Sequence, residues 1–321
     1  MLRYIARRLV TSVALLILGS VVVFCLMRVI PGDPTITKLG GSIKSVDPRA
    51  LEAIRHELGL DQSLPEQYWH WVVGILHGNF GESYFSQFPV TTLISQRIGA
   101  TLELTIAAMA IGLLIALPAA TLGAIWRNRW YDWFLSGFTG LGMATPAFVT
   151  GIVLIVVFGL ELHLLPTQGY VSFVSHPIAS VKTVILPAVT LGIAVAAPTL
   201  RIFRASIEDT ASAPYIRTAE GKGLVRKQVV LRHLIPNAAI LTLTTVGVIV
   251  GSLLGGAVVV EYVFARPGLG TLLVDSVFQR DYGVLQTLVL LAAAGFIVTS
   301  LIVDVLYGVI DPRLRALRPE A

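Results

Sequence analysis

Apolar and polar positions fall along this chain in long blocks. Residues 9–27 form an almost unbroken apolar run, and further runs cover about 100–125, 133–160, 183–205, 237–260 and 284–308. Each is long enough, at 1.5 Å per residue, to cross roughly 30 Å of hydrocarbon. The pattern predicts an all-α membrane protein with six transmembrane helices. Pro118, Pro146, Pro187 and Pro198 lie inside the second, third and fourth spans.

The polar blocks divide the rest. Residues 1–30 hold the first span and 31–98 a subdomain on the outer side. Residues 99–310 form a core with five spans and a polar loop at 206–236, and 311–321 form a tail. Within 31–98, PGDP at 31–34 is a turn. Residues 48–58 read as an amphipathic helix with Asp47 as its cap and Gly59 as its stop. Residues 67–76 read as a second helix, rich in aromatics, and GNFGESY at 78–84 as a turn. Tyr68, Trp69 and Trp71 suit interfacial anchors; the alternative is a ligand cage. Residues 161–180 and 261–283 read as external loops.

One polar block is patterned beyond a connector. Residues 215–236 read YIRTAEGKGLVRKQVVLRHLIP, with Arg217, Lys222, Arg226, Lys227 and Arg232 against the single acid Glu220. Pro214 suits a first helical turn, and residues 214–220 fit one short helix that Gly221 and Gly223 end. A second short helix is expected over 224–234, before Pro236 opens the next span. Two short helices at a membrane surface make a docking element for a partner; a solvated basic loop is the bland alternative.

Composition sharpens the picture. The chain has 321 residues, is 55% hydrophobic and only 13% charged, with mean hydropathy +0.78. Soluble domains carry about 25% charge. The net charge of +5 therefore calls for no nucleic acid. The short loops and tails that share a side with the amino terminus, the 206–235 loop and the carboxyl terminus concentrate Lys and Arg. That places both termini and the basic loop in the cytoplasm. Cys25 is the one cysteine, which excludes a disulfide framework. The six histidines show no ligand-like clustering, so no metal site is expected. No G-x-x-x-x-G-K-[ST] phosphate loop occurs, so ATP hydrolysis by that route belongs to another polypeptide. No catalytic constellation is found within the spans.

Several side chains carry candidate roles. Glu261, Arg266, Pro267 and Gly268 flank the outer end of the fifth span. They suit an external gate or a binding-protein contact, or else a re-entrant turn whose glycines allow tight packing. Gly247, Gly251 and Gly255, four apart, form a small-residue ridge for helix packing. Asp304, inside the last span, is a functional candidate or an interfacial ion-pair member. Thr242, Thr244, Thr245 and Ser252 line a solute path or serve as interhelical glue.

The basic stretch resembles the cytoplasmic loop of importer-type ABC permeases. That loop reads Glu-Ala-Ala, three residues, Gly, nine residues, Ile, one residue, Leu-Pro. Ala219, Gly223 and Pro236 keep the spacing; Arg217, Thr218, His233 and Ile235 depart from it. Along nearly the whole chain, VIPGDP at 29–34, ELGLDQSLPEQYWHW at 57–71, GNFGESY at 78–84, ATLELTIAA at 100–108, GGAVVVEYVFARPGLG at 255–270 and RDYGVLQ at 280–286 resemble the B-type permease subunit of the dipeptide, oligopeptide and nickel importers. The resemblance implies a type I importer fold in the cell membrane and uptake of dipeptides or oligopeptides, with nickel or glutathione as alternatives. It implies a second, similar permease subunit, two ATPase domains that bind ATP and Mg, and an extracytoplasmic substrate-binding protein. Tyr215, Arg217, Thr218, Ala219, Glu220, Gly223 and Pro236 would then form the ATPase-docking loop. A secondary transporter without an ATPase is the reading from another class; it would show inverted repeats and paired mid-membrane charges.

Overall fold

The structure is a computed structural model that describes residues 2–29, 35, 38, 48–126 and 129–310. The PGDP turn, the Asp47 cap and the tail after 310 lie outside the described residues. Among those described, helices dominate, and the one β contact is an isolated bridge between Glu82 and Pro89.

Helix α1, Leu2–Val29, packs chiefly on the last helix of the chain. Most of its apolar surface faces outward, while Val23, Phe24 and Met27 near its end are buried. Two shorter helices follow, α2 over Pro48–Glu57 and α3 over Leu64–Leu76. The latter starts three residues before the expected 67. Ser63 and Glu66 close a capping box there, with the Ser63 N–H donating to Glu66 Oε2 at 3.0 Å, and Pro65 sits in the first turn. The Ser20 and Tyr68 hydroxyls are hydrogen-bonded at 2.8 Å. Phe24 meets Tyr68 edge-on at 5.4 Å, and Arg28 donates to Gln67 Oε1 at 2.7 Å. So Tyr68 and Trp71 pack on Phe24, whereas Trp69 is 65% exposed.

Helix α4, Val90–Trp126, is 37 residues long. At 1.5 Å per residue it measures about 55 Å, well beyond the hydrocarbon. It therefore starts ten residues before the expected boundary and carries the polar stretch 90–99 outside the apolar layer. Helix α7, Pro177–Ala211, is the central and most buried element; Pro187 and Pro198 lie inside it, Pro187 buried and Pro198 half-buried. It crosses α4 at a glycine pair. A Cβ on Gly112 would stand 2.6 Å from Val195, and one on Gly192 would stand 2.9 Å from Ile111. Only glycine lets the backbones come this close.

The expected third span, 133–160, is broken. Helix α5 (Arg129–Ala144) and helix α6 (Ala147–Leu154, continued by a wide π turn over Ile155–Glu161) meet at a 108° bend. Pro146 stands at the break, without an N–H to continue the ladder. At the loop end of the bundle lie α8 (Pro214–Gly221) and α9 (Arg226–Val229). A π turn over Val230–Leu234 then runs without interruption into α10, Ile235–Val263. The expected separate helix 224–234 is thus the wound start of the next span. The Ile235 N–H reaches Val230 O, one residue further back than in an α-helix. Pro236 explains the widening, because its ring crowds the preceding turn.

The stretch 261–283, expected as an external loop, folds instead. After a turn in which Ala265 takes a φ of +47°, α11 covers Leu269–Gln279 and α12 covers Tyr282–Ile310. With eleven residues, α11 is too short to cross a bilayer. Four helices are long and apolar enough to span, and up to six do so if each bent pair counts as one span.

Candidate functional site

The basic end of the bundle is built around α8. Its inner face buries Ile216 and Ala219, Ile216 in an apolar cluster with Ala120, Leu200, Phe203 and Leu234. Its outer face exposes Tyr215, Arg217, Thr218 and Glu220. The alternation follows helical period, so one side seats the helix and the other stays open to a partner. Gly223 ends the element at φ +81°, where any Cβ is strained although the space beside it is empty. The Gly223 and Leu224 N–H groups turn back onto Glu220 O and Ala219 O. Pro236 lies in the first turn of α10, where it is exposed.

Two arginines tie this end together. Arg204 on α7 reaches Asp132 Oδ1 on α5 at 3.1 Å and Glu208 Oε1 at 3.0 Å. Arg226 donates from Nη2 and Nε to Ala124 O at 3.1 and 3.3 Å, and from Nη1 to Glu220 Oε1 at 3.3 Å. Between the two arginines lies a cavity of about 290 Å³ that Asp132 and Glu208 also line.

The opposite end holds a buried polar cluster. Glu261 is fully buried. Its Oε1 accepts from the Thr101 hydroxyl at 2.6 Å, and its Oε2 accepts from the Gly270 and Thr271 N–H groups at 2.7 and 3.3 Å. A carboxylate thus caps the N-terminus of α11, where free N–H groups and the helix dipole favour negative charge. A Cβ on Gly268 would fall within the Glu261 carboxylate. Arg266 is also buried. It lies over the Tyr170 ring at 5.0 Å, pairs with Glu103 Oε2 at 3.6 Å and donates to Thr183 O at 3.4 Å. Among the described residues, its Nε and Nη2 find no hydrogen-bond acceptor. Ser180 donates a short hydrogen bond to Glu103. Of the four residues expected at this end, Pro267 alone is exposed; Glu261, Arg266 and Gly268 face inward.

The glycine ridge divides. A Cβ on Gly247 would press on Val303, and one on Gly251 would enter the Phe296 ring, both on α12; one on Gly255 would meet nothing. Thr242 and Ser252 bond to carbonyls of their own helix. The side chains of Thr244 and Asp304 lie outside the described residues. Among the described residues, no three His, Cys, Asp or Glu side chains gather to hold a metal ion.

Sequence reasoning missed one joint. Buried Asp281 accepts from the Ser83 hydroxyl, from the Tyr84 N–H at 3.0 Å and from the Val284 N–H at 3.4 Å. It caps α12 and pins the 78–84 turn to it. An Asp directly before a long apolar run is a readable cap signal; its partner nearly 200 residues away is not.

Residues 108–316 match the family described as binding-protein-dependent transport system inner membrane component, and residues 1–105 match the N-terminal component of such proteins. The chain is 43% identical over 315 residues to the glutathione transport system permease protein GsiC of Escherichia coli strain K12, covering 98% of this chain and 99% of that one. The same protein from Shigella flexneri serotype 5b is also 43% identical over the same length. A crystal structure of an amino acid ABC transporter with histidines aligns with TM-score 0.50 and 20% identity, over 70% of this chain and 94% of that one. That likeness shows the fold alone.

Proposed function

The chain belongs to the family of binding-protein-dependent transport system inner membrane components and is an ABC importer permease; from that premise we propose that it admits a short peptide-like solute of the glutathione class. The observation that supports this is the 43% identity to glutathione permeases across almost the full length of both chains. Dipeptides, longer peptides and nickel are the competing cargoes.

In this reading α5 with α6, and the two limbs of α10 that bend by 47° between Leu253 and Gly255, each count as one span, giving six, with both termini and the basic end in the cytoplasm. A second, similar permease subunit pairs with this chain in the cell membrane. Two ATPase domains, which bind ATP and Mg, dock on the outer face of α8, and a substrate-binding protein delivers the solute at the opposite end. Glu261, Arg266 and Gly268, through their inward packing, form a gate element there together with the exposed Pro267.

The test is uptake into liposomes holding this chain, its permease partner and the ATPase subunits, supplied with the binding protein. Labelled glutathione is expected to enter with ATP, faster than labelled dialanine or Ni²⁺. A preference for the dipeptide or the metal would overturn the cargo assignment. For orientation, an impermeant thiol reagent on intact cells is expected to label Phe85→Cys and spare Lys222→Cys, both in a Cys25→Ser background; the reverse pattern would invert the topology.

A further inference from the structure

We infer that Arg226 is the positioning residue that carries displacement of the docking helix to the transmembrane helices. The inference rests on the permease reading above. Arg226 begins α9, and so opens the helical run that continues through the π turn into α10 and ends at Val263. From there its guanidinium faces two elements at once, Glu220 on α8 and Ala124 O in the last turn of α4. Ala124 lies two residues before the end of Val90–Trp126, so its carbonyl is among the four that no later N–H of the helix can satisfy. A cation there also meets the negative end of the helix dipole. Three elements thus meet at one planar group: the docking helix, the end of α4 and the start of α10.

The chemistry suits transmission of force. Ile216 of α8 sits in the apolar cluster of the bundle, and Ala219 is also buried. Apolar contact is non-directional, so it resists separation better than sliding. Hydrogen bonds from a fork to a helix-terminal carbonyl fix position along the helix axis. Arginine presents several donors in a rigid plane, and lysine cannot reproduce that geometry. Beyond this joint the path stays stiff. α4 is locked to α7 at Gly112 and Gly192, and its far end carries Thr101 and Glu103, which hold Glu261 and Arg266.

The test uses the complete transporter in liposomes, with labelled glutathione and labelled dialanine as probes. Arg226→Gln is expected to keep the ATPase subunits bound and hydrolysing ATP, while solute taken up per ATP falls about fivefold or more. Arg226→Lys is expected to lie between. A purely structural cap would lower assembly and ATPase activity together. The decisive arm is rescue. In a Cys25→Ser background, Trp126→Cys and Val225→Cys, both at well-exposed positions, are bridged by a short bifunctional thiol reagent. Bridging is expected to restore uptake per ATP to Arg226→Gln. The inference is overturned if Arg226→Gln couples as the parent does, loses ATPase binding in parallel with uptake, or does not respond to the bridge. Failure of the parent complex to take up any solute with ATP would instead overturn the permease reading.

Discussion

Gly268 and Glu261 make a sharp energetic prediction, because the glycine is required by the carboxylate and not by the backbone. Gly268 has φ −104°, which any residue adopts, yet a methyl there would occupy the place of the Glu261 carboxylate. A free glutamate would swing aside at little cost. This one cannot move without releasing the Thr101 hydroxyl and the Gly270 N–H, plus the longer bond from Thr271. Each buried donor left unpaired costs about 1–3 kcal/mol, and the helix-dipole contribution adds about 0.3–1 kcal/mol. Removing a buried charge returns part of its desolvation cost. Glu261→Ala is therefore expected to destabilise the chain by about 2–4 kcal/mol. Glu261→Gln, which keeps one acceptor, should cost about 1–2 kcal/mol. Gly268→Ala should approach the Glu261→Ala value, since it breaks the same bonds. In the Glu261→Ala background, however, the space is vacant, and Gly268→Ala should add no more than about 0.5 kcal/mol. Denaturant unfolding of the purified transporter, followed for all four variants and the parent, reads the cycle. Additive losses from the two alanine substitutions would refute the argument.

Gly251→Leu should separate α10 from α12 and lower thermal stability, because its side chain would enter the Phe296 ring; Gly255→Leu, with open space, should leave the stability of the isolated chain near that of the parent. Asp281→Ala should cost about 2–4 kcal/mol, since it strips acceptors from the Ser83 hydroxyl and two N–H groups. It should also open the 78–90 turn to limited proteolysis, and a turn as resistant as in the parent would show that the clamp is dispensable. Gly223→Val should cost about 1–2 kcal/mol for its left-handed φ and weaken ATPase co-purification, while the spans still insert; full partner binding with normal uptake would remove the docking role from this loop.

Much of the architecture was legible because lipid demands it: apolar blocks of spanning length leave a chain few choices. The boundaries were less so. Hydropathy sees the apolar layer, not the helix, so α4 outran its block at 90–99 and α7 outran its own. Pro146 announced a break but not an angle of 108°, since the bend depends on what packs on either side. The glycine ridge shows where spacing alone misleads. Residues four apart advance 40° beyond a full turn at each step. By Gly255 the ridge has therefore turned about 80° from Gly247, and the helix also bends by 47° between Leu253 and Gly255. The first two glycines face α12 and the third faces away.

The polar side chains were harder to place, and for one reason. Sequence position tells which end of a helix a charge occupies, but not whether it faces water or the neighbouring helix. Glu261 and Arg266 at the end of an apolar run suit a solvent-exposed rim. Both are instead buried, because each closes a backbone need or an ion pair of another element: the free N–H groups of α11, and Glu103 beside the open carbonyl of Thr183. Arg226 follows the same logic at the basic end. Its charge is one of five in a loop that suggests solvation, yet its guanidinium is spent on the last turn of α4. In a bundle crowded with interrupted helices, unpaired backbone groups are plentiful. Charges near the breaks are drawn to them, and so become ties between separate elements.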